Sequence, residues 1–283
     1  MKITLAYSPC PNDCFIFDAL IHNRIDTEGV EFVPVLADVE TLNQSAFLEQ
    51  YDITKLSYHA YAWCCENYVL LDSGSALGRN CGPLLISKRE ISQEEIANGN
   101  LKIAIPGKYT TANFLLGIAF PQVKLKEEIV FSEIEGAVTS GKVDAGLIIH
   151  ESRFTYADRG LRKIIDLGEF WEEKTEHPIP LGGIAMRRNF SSTQISQVER
   201  LLRNSVAFAF AHPEKSMPYV KEHAAEMDEI VMKKHIGLYV NSYSISLGEV
   251  GRTAIREMFS LGHEAALIPI CKQPIFNGSF IRE

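Results

Sequence analysis

The sequence predicts an α/β protein of two lobes with a ligand cleft between them, and three observations predict it. Short apolar runs rich in isoleucine, valine and leucine alternate with segments of helical apolar period. The first third reads as a continuous βαβαβα series, which implies parallel strands with helices packed on their faces. A second βα series begins after the polar stretch Asn98-Gly99-Asn100.

The elements follow in order. Lys2 to Tyr7 is a strand, Asn12 to His22 an apolar-periodic helix, Val30 to Leu36 a strand, and Val39 to Leu48 a helix. Asp52 to Leu56 is a short strand, and a helix runs through Tyr58 to Glu66. Gly82 to Ser87 is an apolar strand, followed by the charged segment Lys88 to Glu95. The second series has a strand at Leu101 to Ile105, a helix from Thr111 to Phe120, a strand near Glu128 to Phe131 and a helix from Glu133 to Ser140. Next comes the run Ala145-Gly146-Leu147-Ile148-Ile149, which reads as a buried strand of a mostly parallel sheet and delivers His150 at its end. Pro178 to Met186 reads as a strand returning to the first unit. The remainder is helical: Gln194 to Ala211, on past Pro213 to Glu226, Glu229 to Tyr239, and Leu247 to Phe259. This order predicts an outer lobe of residues 1 to 87 with 182 to 283, interrupted by an inner lobe of residues 88 to 181. Two crossings between lobes permit closure around a ligand.

At 283 residues the chain can bury an ample core without metals or disulfides. Its 46% hydrophobic content is spread over short segments, none near the roughly 20 residues needed to span a bilayer. Met1-Lys2 leads directly into strand-like residues rather than the apolar region of a signal peptide, so the expected compartment is the cytoplasm, with no membrane partner. A net charge of −8 argues against nucleic acid, whose binding needs many Lys and Arg on phosphates. It permits a small anionic ligand. The six cysteines, Cys10, Cys14, Cys64, Cys65, Cys81 and Cys271, have no zinc-type pairing and read as free thiols, several of them buried.

Four polar segments follow predicted strands, where open α/β sheets bind ligands. Ser8-Pro9-Cys10-Pro11-Asn12-Asp13 can start a helix at Pro11 or Asn12. Lys55-Leu56-Ser57 offers an ammonium and a hydroxyl, with Ser57 able to cap the next helix. Gly107-Lys108-Tyr109-Thr110-Thr111-Ala112 presents N–H groups at the positive end of a helix dipole. His150 adds an imidazole suited to proton exchange near neutral pH. Each segment has a structural explanation alone; together they predict a shared site for a small carboxylate ligand. No His-Glu-x-x-His, Gly-x-Ser-x-Gly, P-loop or Gly-x-Gly-x-x-Gly pattern occurs, so neither a metal nor a nucleotide cofactor is expected. The other histidines read as structural, with His59 the next candidate for testing.

Read together, these segments resemble the 1,4-dihydroxy-6-naphthoate synthase family of the futalosine route to menaquinone. The likeness lies in Ser8-Pro9-Cys10-Pro11-Asn12-Asp13 with Phe15-Ile16-Phe17, Asp38 to Asn43, Thr54-Lys55-Leu56-Ser57-Tyr58, Ala76 to Arg79, Pro106-Gly107 with Thr110-Thr111-Ala112, Gly146 to Tyr156, and Tyr239-Val240-Asn241. Cys14 departs from the threonine common in that family. The resemblance implies a periplasmic-binding-protein-like type II fold used as an enzyme without cofactors. It implies a lyase that cleaves cyclic dehypoxanthinylfutalosine to 1,4-dihydroxy-6-naphthoate and dihydroxyacetone. By carry-over, His150 is the proton acceptor, with Lys55, Leu56, Ser57, Thr111 and Ala112 contacting substrate. Thr110 joins them on the chemistry of its helix terminus. The rival readings are a non-catalytic small-anion binding or sensing protein of the same fold and a chorismate dehydratase of the same pathway. The oligomeric state has no sequence signal.

Overall fold

The computed structural model describes residues 1–224 and 228–277, and its eleven described strands form two sheets. They are β1 (Lys2–Tyr7), β2 (Glu31–Leu36), β3 (Ile53–Ser57), β4 (Tyr68–Leu70), β5 (Ala76–Gly78), β6 (Leu84–Ser87), β7 (Ile103–Ile105), β8 (Lys126–Glu128), β9 (Ala145–Ile148), β10 (Arg162–Asp166) and β11 (Ile179–Arg187). The first sheet has the order β2-β1-β3-β11-β4, with β5 also paired to β11; the second has the order β10-β6-β9-β7-β8.

The βα alternation makes β1 parallel to β2 and β3, and β7 parallel to β8 and β9. The sheets are nevertheless mixed, which corrects the expectation of mostly parallel pairing. β11 runs antiparallel to β3, β4 and β5, and β6 antiparallel to β9 and β10. A parallel return needs a crossover of a dozen or more residues. Residues 79–83 are all that separates β5 from β6, so the chain enters the second sheet without a helix. Leu84–Ser87, grouped by sequence with the outer lobe, pairs with β9 and β10 in the second sheet.

Burial explains the placement of the strands. The Leu56 face of the first sheet and the Leu85 and Leu147 face of the second share one buried cluster with Phe114 and Trp171. Ile3, Leu5 and Ile53 join Phe17 and Leu201 in a second cluster, while Leu84 and Ile86 join Ile134 and Val138 in a third. In β9, a Cβ at Gly146 would come within 2.5 Å of Ile134 Cγ2. Glycine there lets the helix Ile134–Ser140 lie directly on the strand that leads to His150.

Several local readings shift. The strand expected near Glu128 to Phe131 is Lys126–Glu128, followed by a 3-10 turn at Phe131–Glu133. An edge strand tolerates charge, so the apolar Ile129-Val130-Phe131 marks its exit rather than its body. β4, β5 and β10 lie in stretches with no expected element, as do the helices Leu167–Thr175 and Ser242–Ile245. The charged segment after β6 contains the start of a capped helix, Gln93–Ala97. The helix beginning at Pro213 ends at His223, and its expected end at Glu226 lies outside the described residues. Among the cysteines, Cys65 and Cys271 are joined as a disulfide, correcting the expectation of six free thiols; Cys10, Cys14, Cys64 and Cys81 are free and buried. No helix among the described residues is long and apolar enough to cross a membrane.

Candidate active site

Lys55, Leu56, Ser57, Thr110, Thr111, Ala112 and His150 all line one cavity, so the structure brings these seven residues to one place. Ser8, Asn12 and Asp13 line it too, and Val39, Leu42, Ala76, Pro83, Ile149 and Leu181 make its walls largely apolar. A mostly apolar cavity with a few converging polar groups suits a flat organic anion.

The floor comes from the first sheet. Lys55 sits on β3, whose five residues are all buried, and its Nζ lies 2.8 Å from Asp13 Oδ1. Asp13 Oδ2 accepts a hydrogen bond from the Ser8 hydroxyl at 2.7 Å. Pro11 opens the helix that carries Asn12 and Asp13, its missing N–H falling where no intrahelical partner exists. Ser57 stands at the N-cap of the helix Tyr58–Cys64, but its side chain makes no cap bond. Instead, its N–H donates to Asn43 Oδ1 at 3.0 Å and its hydroxyl accepts from Asn43 Nδ2 at 3.3 Å. The hydroxyl hydrogen thus remains available to the cavity.

The opposite wall is the N-terminus of the helix Thr111–Ala119. Thr110 caps it: its hydroxyl accepts from the Asn113 N–H and donates to the Gly107 carbonyl at 2.8 Å. That hydroxyl is engaged in the turn, while Thr110 itself still lines the cavity. The Thr111 hydroxyl donates to the Leu181 carbonyl at 2.6 Å, across to β11. The N–H groups of Thr111 and Ala112 occupy the first two helical positions, which have no intrahelical acceptor. Such N–H groups are suited to an anion. Gly107, at φ +150°, lies where a Cβ would meet the Glu40 carboxylate at 2.5 Å, and Glu40 also accepts from the Tyr109 N–H at 3.3 Å.

His150 lies two residues beyond β9, in the left-handed region at φ +57°. Non-glycine residues pay about 1–2 kcal/mol there, so the loop holds this conformation through its other contacts. Arg153, three residues on, is paired with Asp166 of β10 at 2.7 Å and donates to the Gly82 carbonyl. The half-buried imidazole meets Phe131 edge-on, with centroids 5.0 Å apart. Its Nε2 is 3.9 Å from Cys10 Sγ. Loss of hydration, opposed by the Glu151 charge and assisted by His235, pushes its pKa down to about 4. The ring is accordingly neutral at physiological pH and can accept a proton.

His59 does not line the cavity. It packs near Phe114 and Tyr109, and its Nδ1 lies 3.2 Å from the Thr110 carbonyl oxygen, so it supports the capping turn from behind. Cys14 belongs to the core beneath the first sheet, whereas Cys81 and Tyr239 line the cavity. Sequence reasoning gave Asn43 no role of its own and read His235 as structural. His235 is fully buried, stacks on His150 and lies 3.5 Å from Glu151 Oε2. No spacing rule connects position 235 with position 150.

With this geometry in place, the chain can be compared with known proteins. Residues 3–264 match a family described as menaquinone biosynthesis. A 1,4-dihydroxy-6-naphtoate synthase from Thermus thermophilus is 43% identical over 274 residues, covering 97% of this chain and 98% of that protein. The synthase of the same name from Streptomyces coelicolor is 42% identical, covering 94% and 95%. Among solved structures, a protein from Archaeoglobus fulgidus superposes with a TM-score of 0.89 at 37% identity, covering 94% of this chain and 98% of that one. The alkanesulfonate-binding protein of Xanthomonas axonopodis pv. citri, bound to MOPS, superposes at 0.71 with 13% identity, covering 95% of each chain. Such distant neighbours establish a periplasmic-binding-protein-like fold, and the fold alone.

Proposed function

This chain belongs to the menaquinone biosynthesis family, and we propose that it acts there as a 1,4-dihydroxy-6-naphthoate synthase, a carbon–carbon lyase with His150 as general base. The observation that carries the reading is the convergence of a neutral imidazole, His150, with the free N–H groups of Thr111 and Ala112 on one apolar-walled cavity. The substrate is the spiro-fused cyclic dehypoxanthinylfutalosine; the products are 1,4-dihydroxy-6-naphthoate and dihydroxyacetone.

In this scheme the helix N-terminus binds the substrate carboxylate. The bicyclic body lies against Leu42, Leu56 and Leu181. His150 Nε2 removes the acidic proton beside the ketone, at the position where Cys10 Sγ now approaches it. The electron pair forms an enolate, which expels the ring oxygen; loss of the three-carbon fragment then makes the ring system aromatic. Lys55 and the Ser57 hydroxyl face the developing oxyanion, and such preorganised donors are worth more in a dry site than in water. A general base supplies about 10²- to 10⁴-fold, so closure and oxyanion stabilisation carry the remainder. Each sheet is the frame of one lobe, and closure is a rotation about the two crossings, near residues 79–83 and 176–178.

The test is incubation of the purified protein with the cyclic substrate, with chorismate and with buffer, followed by mass analysis. Formation of dihydroxynaphthoate and dihydroxyacetone is expected from the first alone. Conversion of chorismate would replace this reading by the dehydratase, and binding without turnover by a receptor or sensor. His150→Ala, folded and with wild-type turnover, would remove the base assignment.

A further inference from the structure

Behind His150 lies a buried titratable pair that the mechanism above does not use. His235, on the helix Glu229–Tyr239, is fully buried. Its ring stacks on that of His150, with centroids 5.9 Å apart and planes 7° from parallel. His235 Nε2 lies 2.9 Å from Asn12 Oδ1. Asn12 Nδ2 donates to Asp13 Oδ1 at 2.8 Å, which turns the amide oxygen toward His235, and an amide oxygen only accepts. Nε2 therefore carries a hydrogen.

The other nitrogen, Nδ1, faces Glu151 Oε2 at 3.5 Å, and both atoms are buried without a geometrically satisfactory hydrogen-bond partner among the described residues. With Nε2 protonated, a neutral ring would direct a lone pair at a carboxylate oxygen in a dry place. One further proton converts that repulsion into an ion pair. We propose that His235 is a positioning residue for His150: as an imidazolium paired with the Glu151 carboxylate, it ties the loop carrying the base to the helix Glu229–Tyr239 and keeps the base neutral.

This inference rests on the reading of His150 as the base. Glu151 follows β9 of the second sheet, while the His235 helix contributes Met232 to the core beneath the first. The pair thus bridges the elements on either side of the cavity. The charges around it favour the assignment. Asp13 and Lys55 neutralise each other. Burial pushes the Cys10 thiol and the Tyr239 hydroxyl upward, so both are uncharged. Glu135, its pKa raised by burial, is already paired with Arg159. Desolvation opposes ionisation of Glu151, but the facing His235 and the neighbouring His150 outweigh it and hold the carboxyl at about 2.

The full chain labelled with ¹⁵N-histidine tests the charge state directly. The His235 signal, assigned by its loss in His235→Gln, is expected to show both nitrogens protonated at neutral pH, and one bare nitrogen in Glu151→Gln. A neutral His235 ring in the wild type would overturn the proposal. In kinetics, Glu151→Gln is expected to lower kcat about 10- to 100-fold, the scale of a misplaced catalytic group, with KM little changed. It is also expected to remove the alkaline fall in kcat that marks deprotonation of the pair. Wild-type kcat, or a lower kcat with the same pH profile, would reduce the pair to packing and overturn the proposal. If Glu151→Gln does not fold, His235→Gln, which keeps a donor for Asn12, replaces it in kinetics while the wild-type spectrum still decides. An active His150→Ala would remove the base reading instead, an outcome distinct from either result on His235.

Discussion

The Lys55 ammonium stands 2.8 Å from the Asp13 carboxylate, and the two side chains are only 9% and 2% exposed. The pair joins the middle of β3 to the first turn of the helix Pro11–Ile21, fixing a positive charge on the cavity floor. Its partners are fully engaged: Ser8 and Asn12 bond the carboxylate as well. Removing one member leaves the other charge buried and unpaired, which typically costs about 3–5 kcal/mol. Asp13→Asn and Lys55→Met are each expected to destabilise the protein on that scale in denaturant titrations. The double variant should recover much of the stability and none of the activity, because Lys55 is then absent from the oxyanion.

His150 allows chemistry and backbone strain to be separated. His150→Ala and His150→Gly both delete the proposed base, and each is expected to lower kcat about 10²- to 10⁴-fold. At φ +57°, however, glycine avoids a penalty of about 1–2 kcal/mol that alanine retains. The glycine variant should therefore unfold at higher denaturant than the alanine variant. Equal midpoints would mean that the loop relaxes out of the left-handed region when the imidazole is gone.

Two histidines link stability to pH with the same sign. Burial holds His59 and His150 at about 4, below the ordinary 6.5. The unfolded chain takes up these protons as pH falls through 6.5, whereas the folded chain resists until about 4. The contribution of these two groups is therefore complete above 6.5 and declines as pH falls from 6.5 to 4. Glu151, held at about 2 against an ordinary 4.5, adds a further loss as pH falls from 4.5 to 2. Urea titrations across this range should show His59→Gln losing stability less steeply between pH 6.5 and 4 than the wild type. The acid limb of kcat/KM should fall near pH 4 rather than near 6.5, since it reports the same imidazole, His150, in the free enzyme.

What the sequence made legible follows from how local each signal is. Apolar runs opening onto polar turns identified β1, β3, β7 and β9, and with them Lys55, Ser57, Thr111 and His150 at one cavity. β4, β5 and β10 were not legible, because three to five residues become a strand only through a neighbour, and β4 and β5 depend on β11. Pairings across long separations leave no local trace either. Cys65 and Cys271 are 206 residues apart, and His235 reaches His150 only after the helix Glu229–Tyr239 packs beside the first loop. Whether a hydroxyl faces a ligand or its own turn is equally hidden: Thr110 and Thr111 are adjacent and chemically identical, yet one caps the helix and the other reaches β11.

That difference between the threonines permits a test of how the carboxylate is held. Thr111→Val keeps the N–H and loses only the hydroxyl that donates to the Leu181 carbonyl. Thr111→Pro removes the N–H as well. Proline fits the first helical position, and Thr110 at φ −72° and ψ 150° already has the extended backbone that a following proline demands. The helix should therefore survive both changes. A hydrogen bond to a charged group is worth about 1.5–3 kcal/mol, so KM for the proline variant should exceed that of the valine variant by about 10- to 100-fold. Circular dichroism should be unchanged between them. Equal KM values would mean that the carboxylate is held by the Lys55 and Ser57 side of the cavity rather than by the helix N-terminus.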